Sequence, residues 1–88
     1  PHKVAYVDGT RYQLEPIQVR ILIALMDDRD HEMTGEDLRI ACQSDAAPFS
    51  PVKMFARNLE VYKRFIRYER GDLVYALVIS EEDRDWLT

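Results

Sequence analysis

Eighty-eight residues make one small domain, because chains divide at roughly 100–200 residues per domain and a second independent core does not fit. Hydrophobic residues at 47% beside charged residues at 32% describe a globular chain rather than a disordered one, and the net charge of −4 sets it apart from nucleic-acid modules that are basic overall. The longest apolar run, residues 73–79, is far short of the about 20 residues a spanning helix needs, so no membrane partner is expected.

A lone cysteine, Cys42, excludes an internal disulfide and points to a reduced, cytoplasmic compartment. Opening on Pro1 without a Met, residues 1–88 read as a single domain excised from a longer protein. Charge is unevenly spread along it. Residues 1–48 carry five Lys and Arg against nine Asp and Glu, residues 49–78 carry six against three, and residues 79–88 carry one against four. A basic block therefore sits between two acidic ones, and it can attract a polyanion locally despite the negative total.

In chain order, Asp8-Gly9 supplies the two positive φ angles of a type I′ turn, so residues 4–14 predict a β-hairpin. Pairing Val7 with Thr10 sets Ala5 opposite Tyr12 and Lys3 opposite Leu14, which gathers Ala5, Val7, Tyr12 and Leu14 on one face. Pro16 fits a first helical turn, and a helix is predicted to run on over 17–26. Ile17, Ile21, Ala24 and Leu25 form one of its apolar faces, with Val19, Leu22, Ile23 and Met26 roughly opposite. The hairpin is the favoured cover for this two-faced helix, and a symmetric partner helix is the rival.

Residues 27–32 read as an exposed acidic loop. Thr34 follows as an N-cap within the near capping box Thr34-Gly35-Glu36-Asp37, opening a short helix to about Gln43 with Leu38, Ala41 and Cys42 inward. Ser50-Pro51 restarts a helix predicted over residues 50–64. Val52, Phe55, Ala56, Leu59 and Tyr62 form its buried face, and Lys53, Arg57, Glu60 and Arg64 the opposite one. Strands 66–69 and 73–79 flank Arg70-Gly71 as a second hairpin, the later strand being apolar enough to be covered on both faces. Ser80-Glu81-Glu82-Asp83 predicts a capping box for a C-terminal helix.

The predicted architecture is α+β: a winged helix-turn-helix with an N-terminal β-hairpin, three helices and a C-terminal β-hairpin wing. Asp8-Gly9, residues 14–25, Met33-Thr34 with Leu38, residues 52–63, and Gly71 with Tyr75 fall in the order that resembles the OmpR-type winged-helix effector domain of bacterial response regulators. That resemblance implies duplex DNA binding in a transcription regulator, alongside other domains of a parent protein. A helix-turn-helix sends its recognition helix into the major groove, where Arg or Lys contacts guanine and Asn pairs with adenine. Lys53, Arg57 and Asn58 are the candidates for base readout, and Lys63, Arg64, Arg67 and Arg70 for phosphate contacts along the backbone. Glu60 interrupts this track; a carboxylate repels phosphate but can accept from cytosine N4.

The alternative is a protein-contact module without nucleic acid, including a homodimer through the first helix. Tyr6, Tyr62 and Tyr68 suit such an interface, where tyrosine is enriched. Catalysis is not expected. Asp27, Asp28, Asp30, His31 and Glu32 lack the regular oxygens and central Gly of a calcium loop, so no metal is predicted. Cys42 on an apolar stripe reads as a small buried hydrophobe. Gly9, Gly35 and Gly71 are too far apart for a phosphate-cradling loop, so no cofactor is predicted.

Overall fold

Asp8 and Gly9 both adopt left-handed backbone conformations, with φ of 51° and 83°, and their turn joins β1 (Val4–Val7) to β2 (Thr10–Gln13). The register is the one the turn demands: Val7 opposite Thr10 and Ala5 opposite Tyr12. The computed structural model describes residues 4–78; Lys3, Ile79 and the capping box at Ser80 lie outside the described residues. Ala5, Val7 and Leu14 are buried and Tyr12 packs beside them, so the hairpin has the predicted apolar face.

Helix α1 (Pro16–Asp27) begins with proline at its first position, and Glu15 occupies the N-cap. It leads through a tight loop into β3 (Glu32–Thr34), and α2 (Gly35–Ala41) follows without a gap. The Thr34 hydroxyl accepts the Asp37 N–H at 3.1 Å, as a capping threonine should. Beyond a loop over residues 42–50 come α3 (Pro51–Met54), a 3₁₀ turn (Ala56–Asn58) and α4 (Leu59–Phe65). Next come β4 (Ile66–Glu69) and β5 (Val74–Leu77), and β3, β4 and β5 form an antiparallel sheet of order β3-β5-β4. The fold is thus α+β, with helices over two small antiparallel sheets.

Several expectations change. The segment 27–32 is not wholly loop, because Glu32 starts β3 and pairs with Ala76. Asp28 organises the rest: its carboxylate accepts the N–H groups of Asp30 at 3.0 Å and Glu32 at 3.2 Å. The hairpin shares one buried core with α1 but is not its main cover. Strand β1 lies mainly against α4, whereas α1 packs on α2, α3 and β5. Its buried stripe is Gln18, Ile21, Leu22 and Leu25, and Ile23 stays 39% exposed. On α2, Leu38 and the capping Cys42 are buried as predicted, but Ala41 is exposed. In the second hairpin the left-handed position falls on Leu73 (φ 56°), not on the glycine, which leaves a four-residue turn over 70–73 and starts β5 one residue later.

The single helix predicted over 50–64 is broken at residues 55–58, and a buried amide pair accounts for it. Gln18 is fully buried; its Oε1 accepts the Glu15 N–H at 3.0 Å and an Asn58 Nδ2 hydrogen at 2.8 Å. Its Nε2 donates to the Met54 carbonyl at 3.0 Å. In an uninterrupted α-helix that carbonyl would take the Asn58 N–H, which bonds Phe55 O instead at 2.8 Å. Asn58 Nδ2 also donates to the Gln13 carbonyl at 2.9 Å. The buried positions become Pro51, Phe55, Asn58, Val61 and Phe65, and Val52, Ala56 and Leu59 turn outward.

Truncating Asn58 takes the side-chain donor from the part-buried Gln13 carbonyl and leaves the buried Gln18 Oε1 with the Glu15 N–H alone, a loss of about 1–3 kcal/mol. Asn58→Ala is expected to lower the unfolding free energy in urea by about 2 kcal/mol with an unchanged m-value, and Gln18→Ala/Asn58→Ala to cost less than the sum of the single changes. Additive effects would dissolve the pair as a unit.

Candidate nucleic-acid interface

The basic block forms α3, the 3₁₀ turn, α4 and the second hairpin. Lys53 on α3 and Arg57 on the 3₁₀ turn are exposed and flank the break at Phe55. Neither takes part in an ion pair among the described residues. Because α4 runs directly into β4, Lys63, Arg64 and Arg67 gather at that helix–strand corner. Arg70 sits in the exposed turn at the far end of the hairpin.

Three of the candidate side chains have local partners. The Lys63 ammonium lies 3.9 Å from a Glu60 carboxylate oxygen, an exposed pair one helical turn apart that draws Glu60 toward its own helix. The Arg64 guanidinium sits 5.1 Å from the centre of the Phe65 ring. Arg67 Nε donates to Glu69 on the same face of β4.

Asn58 is a correction to the base-reading set. It is buried, and both hydrogens of its Nδ2 are committed to Gln13 and Gln18. An amide in that position cannot also hydrogen-bond an adenine edge. The broken helix also means that Lys53, Arg57, Glu60 and Arg64 do not form one continuous stripe.

The tyrosines divide. Tyr6 and Tyr68 are exposed, whereas Tyr62 is half-buried, its ring 5.8 Å from that of Phe55, and so is less available to a partner than its sequence position implied. Tyr68 packs against Tyr75 across the β4–β5 pair, ring centres 4.7 Å apart and ring planes tilted by 46°. Burial, reinforced by the neighbouring tyrosine, holds the Tyr62 and Tyr75 hydroxyls above their ordinary pKa.

A second surface feature was not predicted. A shallow groove of about 440 Å³ runs between α1 and α2, lined by the apolar Ile23, Ala24, Met33 and Ala41 and by the charged Arg20, Asp27 and Asp28. The positions 20, 23, 24 and 27 recur at helical spacing, a stripe visible in the sequence once the polar residues at its ends are counted with it. Among the described residues no cluster of three His, Cys, Asp or Glu side chains could hold a metal ion, and no helix is long and apolar enough to cross a membrane.

Comparison with protein-family models, curated proteins and solved structures returns no match to the chain.

Burial pushes the Cys42 thiol above its ordinary pKa, although the nearby Arg20 charge pulls it down. A pKa raised in the folded state means that the thiol adds stability below its unfolded value and loses it as pH rises through and beyond that value. Cys42 is therefore expected to resist iodoacetamide at pH 8 in the native protein and to react in urea. Rapid native alkylation would contradict its burial.

Proposed function

We propose that this chain is a diverged winged helix-turn-helix domain that binds duplex DNA within a transcription regulator. Support for the fold comes from its order: α1, β3, α2, the α3–α4 segment, then a β4–β5 hairpin whose second strand pairs with β3. In this reading α3, the 3₁₀ turn and α4 together are the recognition segment, and the β4–β5 hairpin is the wing. The observation that carries the function is Lys53 and Arg57, exposed and outside any ion pair among the described residues, on the first turns of that segment.

Lys53 and Arg57 are assigned the contacts to base edges and flanking phosphates, where the planar guanidinium of Arg57 offers the bidentate geometry that guanine accepts. Arg70 at the hairpin tip and the corner group Lys63, Arg64 and Arg67 follow the phosphate backbone, with Lys63 and Arg67 partly neutralised by their carboxylate partners. Asn58 acts indirectly. By fixing the break it sets the direction in which Lys53 and Arg57 project.

Fluorescence anisotropy of labelled duplexes at several salt concentrations tests the reading. If Lys53, Arg57 and Arg70 each neutralise a phosphate, log K falls against log salt with a slope of about −2.7, and Lys53→Glu/Arg57→Glu abolishes binding while the far-ultraviolet circular dichroism is unchanged. A diverse duplex pool left unbound at low salt by the folded wild-type protein would overturn DNA binding and favour a protein-contact module.

A further inference from the structure

The groove between α1 and α2 has a positive end at Arg20, an apolar floor and a negative end at Asp27 and Asp28; the Asp28 carboxylate is held by the Asp30 and Glu32 N–H groups, and Asp27 is the exposed acid of the two. Its two charged ends are seven residues apart on one helix, about 10.5 Å along the axis. The midpoint of that stripe falls between Ile23 and Ala24, both of which line the groove. Ile23 is 39% exposed, and Ala24 is small enough to let a second backbone approach closely. Neither Arg20 nor Asp27 forms an ion pair among the described residues.

A surface with opposite charges at equal distances from an apolar centre is complementary to itself under two-fold rotation. We propose that this groove is the interface of a symmetric homodimer, in which two α1 helices pair antiparallel and Arg20 of each copy meets Asp27 of the other. The axis passes between Ile23 and Ala24, so the apolar residues of the two copies cover each other and each charged pair forms twice. Antiparallel pairing also opposes the two helix dipoles favourably. The observations favour a second copy over a different partner because one stripe supplies both halves of the match. This dimer does not depend on DNA binding.

Sedimentation of the full chain from about 1 μM to about 1 mM tests the proposal, with charge reversals as its decisive arm. The wild-type protein is expected to pass from monomer to dimer across that range. Arg20→Asp alone and Asp27→Arg alone each turn two attractive contacts into repulsive ones, and each is expected to raise the dissociation constant by about tenfold or more. Mixing the two single variants restores every pair in a heterodimer, and the double variant R20D/D27R restores them in a homodimer. Ile23→Lys, at a position exposed in the monomer, is expected to abolish association, and circular dichroism checks that each variant is folded. A wild-type monomer throughout the range overturns the proposal and assigns the groove to another occupant. Single reversals that associate as tightly as wild type, or a mixture that fails to recover, overturn it as well.

Discussion

Two buried side-chain amides, Gln18 and Asn58, hold the parts of this small domain in register. Through four hydrogen bonds they join the end of β2, the start of α1, the last carbonyl of α3 and the 3₁₀ turn, segments separated by up to 45 residues in the chain. Neither amide has freedom to reverse. Gln18 Oε1 must face the N–H of Glu15, Gln18 Nε2 must face the Met54 carbonyl, and Asn58 Nδ2 must face the Gln13 carbonyl. A polar pair in a core this small stabilises only while every member is satisfied, which ties the helix break to the position of α1. The apolar residues around it, Ile21, Leu22, Leu25, Phe55, Val61 and Phe65, pack without directional bonds.

What local chemistry dictates was readable from the sequence. The Asp8-Gly9 turn set the hairpin register, Pro16 and Thr34 marked helix starts, and the apolar run after Gly71 marked the strand that became the centre of a sheet. What depends on distant partners was not. Strand β3 is three residues long and exists because β5 pairs with it, so nothing in Glu32-Met33-Thr34 announces it. Asn58 was assigned to base readout because an asparagine can pair with adenine, yet 51, 55, 58, 61 and 65 carry the buried stripe. The signal was available in two places at once: Gln18 on the apolar face of α1 and Asn58 at a stripe position are a matched donor and acceptor.

The candidate site was partly legible for the same reason. Exposure of Lys53 and Arg57 followed from their charge, and the basic block followed from counting. The local neutralisation of Lys63 and Arg67 by Glu60 and Glu69 depends on side-chain reach within one element and could have been anticipated from their spacing. The groove beside α1 was harder to foresee, since it needs α2 and Met33 to form its second wall. The two surfaces differ in charge, one cationic along α3 to β5 and one bearing both signs along α1, and the amide pair anchors the helices that carry both.

The measurement that bears most directly on this account is nuclear magnetic resonance of residues 50–65, with backbone carbon shifts and exchange of the Asn58 side-chain amide read together. The account predicts helical shifts over Pro51–Met54 and Leu59–Phe65, an interruption at Phe55 and Asn58, and Nδ2 protons of Asn58 strongly protected from solvent. Unbroken helical shifts across the segment with a freely exchanging Asn58 amide would contradict it.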